Sequence, residues 1–153
     1  MVYDQDFSRD TSKKSKSKKG LMLKHGDFPN KSESLLKVLN SITSLNVIIV
    51  NGKKKAKSRQ GPTSNKRSTF VGVSRNGPHW QGLITINKRK TYIGSYRTEE
   101  QAGLAFDFYS LLLHSLSAKT NFNYTKEDIV DMIVNFKTND YKLRPELLLP
   151  FSS

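Results

Sequence analysis

From position 70 to position 96 the chain alternates between apolar and polar residues in three short runs, each separated from the next by turn residues. Residues 70–75 read as a first strand. Asn76-Gly77-Pro78-His79 supplies turn chemistry, and residues 80–86 read as a second strand. Asn87-Lys88 forms a two-residue hairpin loop, with Asn87 suited to a positive φ, and residues 89–96 read as the third strand. That loop fixes the register: Ile86 faces Arg89, Thr85 faces Lys90, Ile84 faces Thr91, Leu83 faces Tyr92 and Gly82 faces Ile93. One face then carries Trp80, Gly82, Ile84, Ile86, Thr91 and Ile93, which is mostly apolar and predicts a core. The other carries Gln81, Leu83, Thr85, Lys90 and Tyr92. A slip of one residue would bury the charges, so the pattern selects this register. Trp80 is expected in the core with its face-mates.

The period then changes to that of a helix. Thr98 at the N-cap and Gln101 three residues on form a capping box, with Glu99 and Glu100 suited to the positive helix start. Ala102, Ala105, Phe106, Tyr109, Leu112, Leu113 and Leu116 recur at spacings of three and four, predicting one apolar stripe on a helix over residues 98–115. The small residues Ala102, Gly103 and Ala105 allow close approach to the sheet. A second, shorter helix is predicted over residues 125–136, capped by Thr125 with Asp128 at its third position. Upstream, Leu35, Leu36, Val38, Leu39, Ile42 and Leu45 predict a helix over residues 32–46 with Ser32 as its cap, and residues 47–50 read as a short strand. The expected architecture is α+β: a three-stranded antiparallel sheet packed on one α-helix, with a mostly disordered basic N-terminal arm and a short C-terminal helix. The expected division is 1–67 for the arm, 68–123 for the folded domain, and 124–153 for the short helix and a tail whose Leu147-Leu148-Leu149 is available for docking.

Charge adds a partner. The net charge is +13 and the pI about 10.0, which predicts a polyanion as binding partner. Residues 1–67 hold 16 of the 26 Lys and Arg but only 5 of the 13 Asp and Glu, so the excess lies in the arm. Residues 13–19 and 53–59 are low-complexity Lys-rich runs that cannot bury apolar surface, and read as a nuclear localisation signal or a phosphate-binding arm. The absence of Cys removes disulfides and thiolate metal sites. His25, His79 and His114 lie too far apart in sequence to suggest a zinc site. The longest apolar run, residues 47–50, is too short for a bilayer, and the polar N-terminus lacks a signal core, so no membrane role is expected. No carboxylate or His cluster, nucleophile–base pair or phosphate-cradling Gly loop stands out, so neither an enzyme nor a cofactor is expected.

Phe70-Val71-Gly72-Val73, Trp80 with Ile84, Tyr92-Ile93-Gly94 with Tyr96, then Thr98, Glu100, Ala102, Ala105-Phe106-Asp107 and Asn121-Phe122 occur in order. As a set, residues 68–123 resemble the plant APETALA-type and ethylene-response-factor (AP-two/ERF) DNA-binding domain, with a first turn about one residue shorter. The resemblance implies three strands on one helix, an outer sheet face that enters the major groove of double-stranded DNA, and a structural role for Asp107 and Asn121. The positions that correspond to the family's base- and phosphate-contacting residues include Val71, Ser74, Leu83, Thr85, Lys90 and Tyr92. Several depart from the plant pattern. Val71, Ser74 and Thr85 stand where the family carries Arg, and Leu83 where it carries an acidic residue; only Lys90 and Tyr92 keep cationic and aromatic character. The plant target sequences therefore do not transfer. The expected DNA-binding residues are Ser74, Arg75, Gln81, Leu83, Thr85, Lys88, Arg89, Lys90 and Tyr92. Gln81 suits adenine, Leu83 and Thr85 suit thymine methyls, and Arg75, Lys88 and Arg89 at strand ends suit phosphates. The expected function is that of a sequence-preferring transcription factor in the nucleus. A structural RNA-binding or ribosome-associated protein of an organelle is the alternative that composition leaves open.

Overall fold

The computed structural model describes residues 21–22, 27–44, 46–52 and 68–148. The Lys-rich runs 13–19 and 53–59, their expected disorder, and Leu149 lie outside the described residues. In chain order the elements are β1 (Leu21–Met22), α1 (Phe28–Asn40), β2 (Ile48–Val50), β3 (Val73–Asn76), β4 (His79–Ile86), β5 (Arg89–Tyr96), α2 (Glu99–His114), β6 (Tyr124–Thr125) and α3 (Lys126–Thr138).

The three-stranded antiparallel sheet packed on a helix is present as β3, β4 and β5 against α2, and β1 adds a two-residue parallel edge beside β5. Asn87 and Lys88 turn the β4–β5 hairpin with φ of 52° and 67°, as a two-residue loop between right-twisted strands requires. Four pairs keep the expected register: Ile86 with Arg89, Thr85 with Lys90, Ile84 with Thr91, and Leu83 with Tyr92. Gly82 does not face Ile93. A bulge intervenes, and Gly82 faces Gly94 instead. Two glycines opposite each other have no side chains to hold the ladder in step, so the extra residue is accommodated there. Ile93 still packs against the core.

β3 starts at Val73, three residues later than the pattern suggested. Gly72 has φ +81°, and a Cβ there would fall inside the Phe106 ring, so only glycine allows the chain to leave the sheet at this point. The start of α2 is capped by Thr98, whose hydroxyl accepts from the Gln101 N–H at 3.1 Å. The Gln101 side chain accepts from the Arg97 N–H at 3.2 Å, one residue earlier than a capping box requires.

The expected stripe on α2 is buried at Ala102, Ala105, Phe106, Tyr109 and Leu112, and half-buried at Leu113 and Leu116. The opposite side is buried as well, at Phe108 and Leu111. A helix apolar on both sides needs cover on both sides, and here α1 and α3 supply the second layer. α1 begins at Phe28, with Pro29 in its first turn, and stops at Asn40, so it is displaced from the expected 32–46. Ser32 is not its cap but a fully buried interior residue whose hydroxyl donates to the Pro29 carbonyl at 2.7 Å. α3 carries the full capping box, with Thr125 Oγ1 accepting from the Asp128 N–H at 3.1 Å and Asp128 Oδ2 accepting from the Thr125 N–H at 2.9 Å. α1 and α3 run antiparallel: Lys137 pairs with Glu33 at one end, and Lys126 Nζ donates to the Ile42 carbonyl at 2.6 Å at the other. Phe108, Tyr109 and Phe136 stack where the three helices meet, with ring centroids 5.0–6.0 Å apart.

β2 pairs with β6, so residues 48–50 fold onto the segment that leads into α3. The tail turns back through Asn135, whose side-chain amide donates to the Arg144 carbonyl at 3.0 Å and accepts from the Arg144 N–H at 2.7 Å. Leu143 and Pro145 are buried there, Leu148 is half-buried against the core, and Leu147 remains exposed.

Asp107, fully buried in the middle of α2, accepts hydrogen bonds from the Asn121 N–H (2.7 Å), the Asn121 side-chain amide (3.2 Å), the Phe122 N–H (3.0 Å) and the Tyr124 hydroxyl (2.7 Å). Asn121 in turn holds both backbone groups of Val71, at 2.9 Å and 3.0 Å. The structural role implied for these two residues is what the geometry displays. Replacing Asp107 by Ala removes four hydrogen bonds, one of them from the buried Tyr124 hydroxyl, and is expected to cost roughly 3 kcal/mol or more in denaturant unfolding. Burial pushes the Asp107 carboxyl up from 3.8 to about 7, against the downward pull of its four hydrogen bonds. The folded protein therefore holds a proton that the unfolded chain releases near pH 4. The stability this contributes is complete below about pH 4 and is lost as pH rises through about 7. Melting temperature is expected to fall from about pH 5 to about pH 8, and Asp107→Asn to flatten that slope; an unchanged slope in the variant would assign the proton elsewhere.

Candidate nucleic-acid interface

Strand pairing decides which side chains stand together. Ser74 faces Gln81, Leu83 faces Tyr92 and Thr85 faces Lys90, so these six residues form three cross-strand pairs on the sheet face turned away from α2. Gln81 Nε2 donates to Ser74 Oγ at 3.1 Å, which orients the amide and leaves its oxygen for a partner. Thr85 and Lys90 are exposed, while Ser74, Gln81, Leu83 and Tyr92 are half-buried. No Asp or Glu occurs in β3, β4 or β5.

The other three expected site residues lie at the ends of the sheet. Arg75 shares its face with Val73, not with Ser74. Its guanidinium lies 5.5 Å from the centroid of the Trp80 ring, and its Nε donates to the Gly77 carbonyl at 3.1 Å. Trp80 is therefore half-buried at the end of the sheet under an arginine, and not enclosed in the core. Lys88 sits in the hairpin turn, and Arg89 opposite Ile86. Seven residue steps along β4 separate the two ends by roughly 20–25 Å. Val71, the remaining position carried over from the family pattern, lies outside the strands and has both backbone groups tied to Asn121.

A groove of about 570 Å³ that no sequence pattern announces is lined by Thr85 and Lys90 from the sheet and by Ser110, His114 and Lys119 from α2 and the segment after it. Its residues come from β3, β4, β5, α2 and the segments just before β3 and just after α2, and no local pattern links such distant positions. Among the described residues no group of three or more His, Asp or Glu stands close enough to hold a metal ion. None of the described helices is long and apolar enough to cross a membrane.

No protein-family model matches the chain. Among curated proteins it is 35% identical over 71 residues to the AP2-like ethylene-responsive transcription factor CRL5 of Oryza sativa subsp. japonica, a match covering 43% of this chain and 11% of that protein. It is 33% identical over 70 residues to PLT2 of Arabidopsis thaliana, covering 43% of this chain and 12% of the relative. It is 33% identical over 79 residues to ANT of the same plant, covering 49% and 14%. The chain thus spans only 11–14% of the length of these relatives.

Lys88 occupies the left-handed region that favours glycine, at a cost of roughly 1 kcal/mol for an ordinary residue. Lys88→Gly is expected to raise unfolding stability by about 0.5–1 kcal/mol. A lower melting temperature would mean that the lysine side chain makes a contact that outweighs the backbone strain.

Proposed function

We propose, from the AP2/ERF-type domain that this chain carries, that the protein binds double-stranded DNA through the outer face of its sheet and regulates transcription in a nucleus. The observation that carries this reading is the shared face of Ser74, Gln81, Leu83, Thr85, Lys90 and Tyr92, on strands without a single carboxylate. Three strands span about 10 Å between the outer two, which suits a major groove about 12 Å wide. Gln81, already oriented by Ser74, matches the acceptor and donor of adenine. Leu83 and Thr85 offer apolar contact to thymine methyls, and Tyr92 offers a ring for a sugar or a base edge. Arg75 at one end and Lys88, Arg89 and Lys90 at the other meet phosphates on either side of the site.

One cation on the reading face is few. Discrimination therefore rests on shape and on Gln81, Leu83 and Thr85. Much of the affinity falls to the Lys-rich runs at 13–19 and 53–59, which makes binding steeply dependent on salt. That the relatives are transcription factors supports the regulatory part of the reading.

The test is selection from randomised duplex DNA by the full chain at about 150 mM salt. A short enriched motif is expected, with Lys90→Ala and Tyr92→Ala each costing roughly 1–3 kcal/mol of binding to it. Recovery of all duplexes alike would remove sequence preference. Retention of ribosomal RNA in preference to any duplex would replace this reading with an RNA-binding one.

A further inference from the structure

Among the described residues, nothing pairs with the last part of β4 on its β3 side. β3 pairs with β4 only as far as Val73 opposite Gly82, and the chain then turns away, with the Leu83 N–H bonded to the Gly72 carbonyl at 2.8 Å. In a two-residue hairpin the closing pair, here Ile86 and Arg89, is hydrogen-bonded. The next pair, Thr85 and Lys90, is not, so the backbone N–H of Thr85 points outward along the open edge. That edge forms one wall of the 570 Å³ groove.

Two features of the groove call for an anion. Among the described residues its charged lining consists of Lys90 and Lys119, joined by the imidazole of His114, with no carboxylate. Ser110 lines the groove; the residue is only 5% exposed, and its hydroxyl has no hydrogen-bond partner among the described residues. A buried hydroxyl with nothing to bond is a rare and costly arrangement unless a ligand completes it. The groove ends near the negative pole of α2, which disfavours an anion. Two of the carbonyls at that pole are already engaged, Leu111 by the Ser115 N–H and His114 by the Ser117 hydroxyl. The cleft beside β5 has a smaller excess of positive charge, since of its Lys142 and Arg144 the latter is paired with Glu146 at 2.9 Å.

We infer that this groove is a phosphate subsite for the backbone of duplex DNA, with Lys119 and Lys90 supplying charge and Ser110 Oγ and the Thr85 N–H supplying hydrogen bonds. The inference rests on the outer face being the DNA-binding surface, since Thr85 and Lys90 belong to both and make the two surfaces continuous. It extends the interface around the β4 edge to residues 110–119, which lie outside the sheet altogether. The duplex is thereby held asymmetrically, gripped harder on the β4 side than on the β5 side.

The experiment measures binding of the full chain to a 20-base-pair duplex by fluorescence anisotropy, between about 50 and 200 mM salt. Lys119→Ala is expected to weaken binding roughly three- to tenfold near 150 mM and to lower the log–log salt slope by about 1. Ser110→Ala is expected to weaken binding severalfold while leaving the melting temperature unchanged or raised, since it deletes an unpaired buried hydroxyl. Lys142→Ala, beside β5, serves as the control and should leave the slope as it is. If Lys119→Ala and Ser110→Ala bind like the parent while Lys90→Ala does not, the subsite is wrong and the sheet reading stands. If the parent shows no affinity for duplex DNA at any salt tested, both are wrong.

Discussion

Asp107 sits in the middle of α2 with both carboxylate oxygens turned toward N–H and O–H donors that come from residues 121–124. Through Asn121 the same carboxylate governs Val71, and therefore where the chain enters β3. Gly72 then sets the angle of entry, because nothing larger clears Phe106. The sheet's position on the helix is in this way held by polar contacts at its entry together with apolar packing along Val73, Ile84 and Ala105. A carboxylate so deeply placed is tolerable because four hydrogen bonds satisfy its two oxygens.

The second constraint is where the apolar surface goes. A three-stranded sheet on one helix has a small core for a stable domain. Here α2 is covered on its far side by α1 and α3, which bury Phe28, Leu35, Leu39, Ile129, Met132, Ile133 and Phe136. Because the core is built behind the helix, Thr85 and Lys90 on the outer face of the sheet stay exposed, while Ser74, Gln81, Leu83 and Tyr92 are half-buried.

Much of this architecture was legible in local patterns. The Asn87-Lys88 turn, the four register pairs beyond it, the Thr98 cap and the Thr125–Asp128 capping box all depend on residues near one another in sequence, and the structure contains each of them. The elements that differ depend on distant neighbours. The bulge between Gly82 and Leu83 opposite Ile93 arises from two glycines in different strands. Ser32 has the chemistry of a cap, but the helix extends back to Phe28 because the Phe28 ring packs on Tyr109, 5.3 Å away, far along the chain. Alternation alone puts Arg75 with the core-facing residues of β3, and it is the Trp80 ring that gives it a place there. The groove at Ser110 and Lys119 joins β3, β4, β5 and α2 and has no sequence signature at all.

On the proposed reading, this polar sheet face is the surface that meets DNA. Following the backbone amides of the full chain by nuclear magnetic resonance while a duplex is added tests that claim most directly. The account predicts the largest shifts at Ser74, Gln81, Leu83, Thr85, Lys90 and Tyr92, with the amides of α1 and α3 little changed. Shifts confined to the Lys-rich runs at 13–19 and 53–59, with the sheet silent, would contradict it.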